Sequence, residues 1–488
     1  MRRIALAALV LALGIGVPAR AATPPIKHVW VVVLENESAG TTFAENSPAP
    51  YLAHTLPAAG AFVPNYFGIG HASLDDYIAM ISGQAPNPAT QADCQQYTDV
   101  FPGTVGSDGQ VLGLGCVYPS SVKTVADQLS AKGLGWKGYM QDMGNDPTRE
   151  PGTCAHPALN SSDSTQTASA KDSYATRHDP FVYFHSIIDS PQCRQRVVPL
   201  TALSGDLASE ATTPAFSFIT PSLCEDGHDS PCADGRPGGL VSANLFLATW
   251  LPRITASPAF NDGGLIIVIF DESDTNDTTY CCGEAAGPSS PMPGITGPGG
   301  GRVGAVLLSP YIKPGTVSSK SYNHYSLLRS SEDLFGLSHL GMAGGSGVTS
   351  FGPDVFTQPG GPPLGAPPLL QPVVTLSPGG GSQAVGGGGG SAKPVVGCRA
   401  AKLPKPGRGH KLRRGSLISS ARLRRGRSGS SLTFALTHFA RVKISWHGAA
   451  FRRGLKACQL YRLRLPKHAG HVTLSASAGR GIERRVFR

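Results

Sequence analysis

Two runs of the chain are apolar at every position. Val29-Trp30-Val31-Val32-Val33-Leu34 stops at Glu35-Asn36, and Leu265-Ile266-Ile267-Val268-Ile269-Phe270 stops at Asp271-Glu272. A β-rich run without polar alternation predicts a strand buried on both faces, as in a parallel sheet covered by helices. Two more runs, Ala215-Phe216-Ser217-Phe218-Ile219 and Val303-Gly304-Ala305-Val306-Leu307-Leu308, lead into a polar loop and into Ser309-Pro310. Four such strands with helical patterns between them predict one large α/β domain over residues 24–357, a mainly parallel sheet sandwiched by helices. Acids that follow buried strands sit at the carboxyl edge of the sheet, where open α/β folds place their ligands.

The pattern changes twice beyond that domain. Pro and Gly dominate residues 358–396, including Gly386-Gly387-Gly388-Gly389-Gly390-Ser391, a composition that predicts a flexible tether. In residues 397–488 apolar positions then alternate with polar ones: Leu432, Phe434, Leu436; Val442, Ile444, Trp446; Tyr461, Leu463, Leu465. Period two predicts a small antiparallel β module.

Composition adds a compartment. Arg2-Arg3, an apolar stretch from Ile4 to Val17 and the small-residue site Ala19-Arg20-Ala21 predict a secretory signal over residues 1–22. At about 14 residues the stretch falls short of the roughly 20 that cross a bilayer, and no later segment is long enough. The mature chain is therefore expected to be secreted, either extracellular or associated with the cell envelope. Of the ten cysteines, eight precede the Gly-rich tract and two, Cys398 and Cys458, follow it, so each part can close its own disulfides. Zinc ligation is the rival reading, though no pair shows CxxC spacing. Pairing among the eight stays open.

Charge divides the chain as sharply as hydropathy does. The net +10 comes from a tail, Gly397 to Arg488, with 23 Lys and Arg against the single acid Glu483; the remainder holds 19 against 31. Lys411, Arg413, Arg414, Arg422, Arg424, Arg425 and Arg427 form a dense cationic stretch suited to anionic cell-envelope polymers or lipid headgroups, or simply to solvation. The stretch lacks the interleaved aromatics that stack bases, which disfavours nucleic acid as a specific partner.

The segment Gly70-His71-Ala72-Ser73-Leu74-Asp75-Asp76-Tyr77-Ile78-Ala79-Met80-Ile81-Ser82-Gly83 places Leu74, Tyr77, Ile78 and Ile81 at helical spacing, with Ser73 at or beside the N-cap of an amphipathic helix. Ser73 has two readings: a capping hydroxyl, or a nucleophile at the positive end of a helix. Glu35 and Asp271 likewise read as caps of following helices or as ligands of a cation, without which clustered carboxylates repel one another.

At this point the chain resembles the bacterial phosphoesterase family of acid phosphatases and nonspecific phospholipases C, within the alkaline-phosphatase-like superfamily. The resemblance rests on Val33-Leu34-Glu35-Asn36, Gly70-His71-Ala72-Ser73-Leu74, Arg177-His178-Asp179-Pro180-Phe181, Glu225-Asp226-Gly227-His228-Asp229, Phe270-Asp271-Glu272 and Tyr322-Asn323-His324-Tyr325-Ser326, in that order across Lys27 to Leu340. It implies that Glu35, Asn36, Asp271, Glu272 and the Ser73 oxygen ligate a divalent metal, with Ca, Mg, Mn and Zn all open. It implies that Ser73 attacks phosphorus to give a phosphoserine, and that His71, His178, His228 and His324 line the phosphate cleft or protonate the leaving oxygen, with Asp226 orienting one of them. The chain departs from phosphodiesterase relatives in having Asp75-Asp76 where they place Pro-Asn; a carboxylate at Asp76 cannot donate to a phosphate oxygen.

The expected activity is hydrolysis of phosphate esters by an acid-phosphatase-like enzyme. Phospholipase C action on phosphodiester lipids is the nearest alternative, and the absence of a strongly apolar lid in the sequence favours the small monoester. The alternative of another class is a non-catalytic envelope-binding protein. The loop from Ser273 to Gly301, with the vicinal Cys281-Cys282, reads equally as a substrate-selecting rim and as a surface insertion pinned by disulfides.

Overall fold

A computed structural model describes residues 24–283 and 286–361 and, further along, seven strands between residues 418 and 487. The expected leader, most of the Gly/Pro-rich tract, the cationic stretch before Ile418, and both Cys398 and Cys458 lie outside the described residues. The chain divides into two compact units, Met1–Gln371 and Pro372–Arg488.

The first unit is built on an eight-stranded sheet. Its strands are β1 (His28–Leu34), β2 (Ala61–Val63), β3 (Trp136–Met140), β4 (Val197–Pro199), β5 (Phe216–Thr220), β6 (Gly264–Phe270), β7 (Ala305–Leu308) and β8 (Thr316–Val317). They lie in the order β8-β2-β7-β6-β1-β5-β3-β4. β1 is central: it pairs in parallel with β6 from His28↔Gly264 to Leu34↔Phe270, and with β5 on its other side. β3 and β4 continue the parallel run. All seven positions of β1, and all seven of β6, are buried, so the unbroken apolar runs do mark strands covered on both faces.

One strand departs from the expected direction. β7 is antiparallel to both neighbours, β6 and β2. A parallel return to the same sheet needs a crossover, usually a helix. The segment between β6 and β7 contains no helix among its described residues, so the chain doubles back along the edge it left.

Helices cover the sheet: α1 (Ser73–Ser82), α2 (Val125–Ala131), α3 (Gly239–Thr255) and α4 (His324–Phe335). α1 ends at Gly83, whose φ of +68° is the left-handed cap glycine adopts most readily. Its spacing predicts one wet face, yet all ten residues are buried, because α4 and the turn Thr176–His178 close over it. Asp75 and Asp76 are thereby carried into the interior. Disulfides join Cys94–Cys116, Cys154–Cys193, Cys224–Cys232 and the adjacent Cys281–Cys282. Among the described residues no helix is long and apolar enough to cross a membrane.

In the second unit, Ile418–Gly426, Gly429–Leu436 and Leu460–Leu465 form one sheet, and Ala449–Leu455, Ala440–Trp446, Val472–Ala478 and Gly481–Phe487 another. Every pairing is antiparallel. Leu432, Ile444, Val472 and Leu474 are buried, in keeping with the alternation seen in the sequence.

His185, to which the sequence assigned no role, links two segments by hydrogen bonds from Nε2 to Asp99 (2.8 Å) and from Nδ1 to Asp189 (2.9 Å). Partial burial lowers its pKa, but the hydrogen bonds and charges of the two carboxylates outweigh that and raise it above 6.5. A raised histidine pKa contributes stability that is present below the unfolded value and disappears as pH climbs through the folded one. We expect His185→Gln to lower Tm at pH 5.5 by more than at pH 8.5 in calorimetry; a deficit independent of pH would contradict the linkage.

Candidate active site

The register of β1 with β6 decides what meets at the carboxyl edge. Leu34 lies opposite Phe270, so Glu35-Asn36 and Asp271-Glu272 leave the sheet side by side. The Asp271 amide donates to the Leu34 carbonyl at 2.9 Å, and the Asn36 amide donates to Asp271 Oδ1 at 3.0 Å. Asn36 holds φ +53°, a left-handed turn that Asn tolerates better than most residues. Neither Glu35 nor Asp271 caps a helix: the short helix after Glu35 takes Ser38 as its cap, and no helix follows Asp271 directly.

Ser73 is the first residue of α1, with Ala72 at the cap position and no side-chain capping bond. Its hydroxyl donates instead to Glu35 Oε2 at 2.8 Å, although the two residues are 38 positions apart. The Tyr77 hydroxyl, one turn along the same helix, donates to Glu35 Oε1 at 2.8 Å. Glu35 is thus clamped by two hydroxyls from one helix, and the capping reading of Ser73 is not the one the geometry adopts.

Charge is dense here. Burial pushes the Glu35 pKa well up, with Asp271 and Asp226 adding to the effect. Burial raises Asp271 to about 6 and Asp226 to about 7. Glu272 is raised by burial and then by Asp271 and Asp76. Asp271 Oδ2 is buried without a partner, while Oδ1 accepts from the Asn36 and Glu272 amides. An orphaned carboxylate oxygen among mutually repelling acids suits a hard divalent cation, for which oxygen donors from Glu35, Asn36, Asp271, Glu272 and Ser73 are the right chemistry. These donors would have to draw together around an ion. The one trio of Cys, His, Asp or Glu donors within 4.8 Å of one another among the described residues is Cys224, Cys232 and Asp234, and a disulfide consumes both of those thiols.

The histidines take unlike places. His178 is buried between Glu35 (Nε2 to Oε1, 3.2 Å) and Asp226 (Nδ1 to Oδ2, 3.8 Å) and stacks on Tyr77 with ring centroids 5.2 Å apart. Neither contact has hydrogen-bond alignment, so they are charge proximity only. Burial, reinforced by Arg177 and His228, holds its pKa well below 6.5. His71 bridges Glu272 Oε2 at 2.8 Å and the Asp277 carbonyl at 2.9 Å, tying the acid to the loop that follows it. His324, at the start of α4, is fully buried; its Nδ1 meets the Tyr66 hydroxyl at 3.1 Å, and Nε2 meets the Asp271 carbonyl at 2.5 Å and Asp76 Oδ1 at 3.2 Å. It braces the strand end from inside the protein. His228 is exposed, paired with Asp229 at 3.2 Å, and that hydrogen bond raises its pKa. Asp226 accepts from the His228 amide, and its own carbonyl accepts from the Glu35 amide.

Asp76 accepts from the amides of Ile69 (2.6 Å) and Gly70 (3.2 Å), so its carboxylate anchors the loop before α1. Sequence reasoning gave no role to Tyr77, Arg177 or Asp93. Tyr77 was legible only as an apolar helix position, whereas Arg177 stood inside a quoted motif beside His178. Buried Arg177 has a raised pKa: burial opposes it, and the charges of Asp93, Glu35 and Asp226 more than compensate. Asp93 Oδ1 receives the Leu74 amide at 3.1 Å.

Strand-end acids thus lie beside a helix-opening serine at the carboxyl edge of an α/β sheet. The chain matches the Phosphoesterase family over residues 41–338 and belongs to it. It is 25% identical over 286 residues to a phosphate-repressible acid phosphatase of Penicillium chrysogenum, an alignment covering 59% of this chain and 54% of that protein. It is 24% identical over 328 residues to a phosphatidylinositol-3-phosphatase of Mycobacterium tuberculosis, covering 67% and 82%. The chain thus spans about half the length of the fungal relative. Among solved structures, a protein in the alkaline phosphatase superfamily from Vibrio parahaemolyticus aligns at TM-score 0.38 and 10% identity, covering 95% of this chain and 82% of that one.

Raised carboxylate pKa values mean that the site favours folding at low pH and opposes it as pH rises through about 6 to 7. Bound cation would reverse that penalty by mass action. Millimolar Ca²⁺, Mg²⁺ or Mn²⁺ is therefore expected to raise Tm more at pH 8 than at pH 5, and Asp271→Asn to abolish the increment; equal shifts in the variant would place the cation elsewhere.

Proposed function

We propose that the protein is an exported phosphoric ester hydrolase of the acid-phosphatase type, working through Ser73. The single observation that carries this reading is the Ser73 hydroxyl donating to Glu35 from the first turn of a helix, when a merely capping serine would turn back on its own backbone. The leader, the four disulfides and the family relatives support export and phosphoester chemistry.

In this mechanism Ser73 Oγ forms a bond to phosphorus as the bond to the ester oxygen breaks, and the Ser73 proton passes to Glu35. Tyr77 fixes the Glu35 carboxylate for that transfer. Helix polarity at the N-terminal end of α1 favours the negative charge of the phosphoryl group, while the Leu74 amide of that turn stays committed to Asp93. Arg177 adds fixed positive charge beside Asp93. His228, exposed and holding its proton more tightly through Asp229, is placed to protonate the departing oxygen. Water then forms a bond to phosphorus as the bond to Ser73 Oγ breaks; its proton restores His228, and Glu35 returns the proton to Ser73. A divalent cation held by Glu35, Asn36, Asp271 and Glu272 would lower the hydroxyl pKa and neutralise charge gathering on the phosphoryl oxygens. The basic second unit is assigned to anionic envelope polymers, through its charge alone.

A non-catalytic envelope protein would gain nothing from a serine held against a buried glutamate among repelling acids. Ser73→Ala is expected to cut turnover of p-nitrophenyl phosphate at least about a thousand-fold with unchanged far-UV circular dichroism. Glu35→Gln, close in shape, is expected to lower kcat as well. Intact mass after a phosphoester pulse should show one added phosphoryl group in the native chain and none in Ser73→Ala; native turnover in that variant would remove the assignment.

A further inference from the structure

Strand register sorts the cations of the second unit. In the sheet of Ile418–Gly426, Gly429–Leu436 and Leu460–Leu465, residues Leu423, Leu432 and Leu463 lie at one register level across the three strands, and Leu432 is buried. Residues one step along each strand belong to the opposite face. On that face Arg422 pairs with Thr433, and Thr433 with Arg462. Two residues further, Arg424 pairs with Ser431, and Ser431 with Arg464. Each of these two rungs therefore reads arginine, hydroxyl, arginine. The same alternation is seen directly in the other sheet, where Lys443 is exposed and its neighbour Ile444 is buried.

Four of the five arginines in this sheet fall on the two rungs, and its three strands contain no acid. A face made for solvation alone mixes both signs of charge. Rungs two residues apart are separated by about 7 Å along the strands, and the two outer positions of one rung by about 10 Å across them. A guanidinium can hold an oxyanion through two N–H donors, and a hydroxyl supplies one more. Four such groups around two hydroxyls fit a chain that carries oxyanions at a short, regular repeat. The aromatic residues of the sheet, Phe434 and Tyr461, share a register level that is in phase with Leu432. They belong to the other face, so the arginine face has no platform for stacking bases.

We propose that this face binds a linear polyol phosphate, a polymer with one phosphodiester per short polyol unit. The inference deepens the assignment of the basic second unit made above and rests on it: charge alone names a sign, whereas the register names a face and a repeat. Single-stranded nucleic acid also carries phosphodiesters, but proteins hold it by stacking its bases as well as by charge, and this face lacks the means. A membrane presents headgroups at no fixed repeat, so paired rungs would gain nothing there. The charge of the tail was legible in the sequence, but its division between faces depends on which residues the strands place opposite one another.

The test uses the full chain carrying Ser73→Ala, so that binding is read apart from turnover, and end-labelled poly(glycerol phosphate) of defined length. Affinity is followed by fluorescence anisotropy across a salt series. Replacing the four arginines together (Arg422→Gln, Arg424→Gln, Arg462→Gln, Arg464→Gln) should lower affinity about ten-fold or more and flatten the slope of log affinity against log salt by about 3, at roughly 0.7 per phosphate contact. Removing four charges from the other sheet (Arg441→Gln, Lys443→Gln, Arg452→Gln, Arg484→Gln) should cost less than about three-fold, because solvent ions screen charges that do not touch the polymer. Unchanged far-ultraviolet circular dichroism and Tm report folding. If the four-fold variant does not fold, the single-rung variant Arg422→Gln/Arg462→Gln should flatten the slope by about half as much. Equal losses from the two sheets overturn the proposed face while leaving the charge assignment standing; no binding by the parent chain at any salt removes both. Tighter binding to oligothymidylate with the same number of phosphates, or to phosphatidylglycerol vesicles, also overturns the proposal.

Discussion

Residue-for-residue pairing of β1 with β6 is the constraint on which everything else rests. Seven consecutive pairs, buried at every position, fix where each strand ends. A slip of one residue would exchange the two faces of β6 and separate the acids that follow the strands. The apolar core therefore does more than stabilise the domain: it sets the spacing of a group of carboxylates that would otherwise avoid one another. Their mutual repulsion and desolvation are sustained because the strands that deliver them are buried throughout.

Around this edge the protein divides labour among similar side chains by burial alone. His324 is sealed and braces the Asp271 carbonyl, His71 ties Glu272 to its loop, His178 is kept neutral against Tyr77, and His228 stands in solvent with a raised pKa. Asp76 is spent on two loop amides, whereas Asp271 keeps one oxygen uncommitted. Four histidines that read alike in the sequence thus take different places and partners.

The strands β1 and β6 were legible because a short β-rich run with no polar position has to be covered on both faces, and the helix from Ser73 because its period and terminal glycine agree. The direction of β7 was not, since hydropathy carries burial but not pairing sense. The wet face expected of α1 disappeared because α4, far along the chain, covers it. Ser73 and the acids could be nominated from motifs, but the clamp by Tyr77 and the charge of Arg177 are facts of proximity, and a tyrosine at a helical spacing announces only its ring. The tail is the converse case: its alternation pointed to antiparallel strands, and its second unit is made of them.

The reversal of β7 has a further meaning for the segment between β6 and β7. Because the strands run in opposite senses, the thirty-odd residues joining them depart from and come back to one rim, and the Ser273 amide meets the Gly300 carbonyl where they close. Such a detour is a self-contained bight: its length and contents can vary without shifting any rung of the ladder beneath. The fold thus offers a place where what surrounds the reacting group can be rewritten while the reacting group stays put.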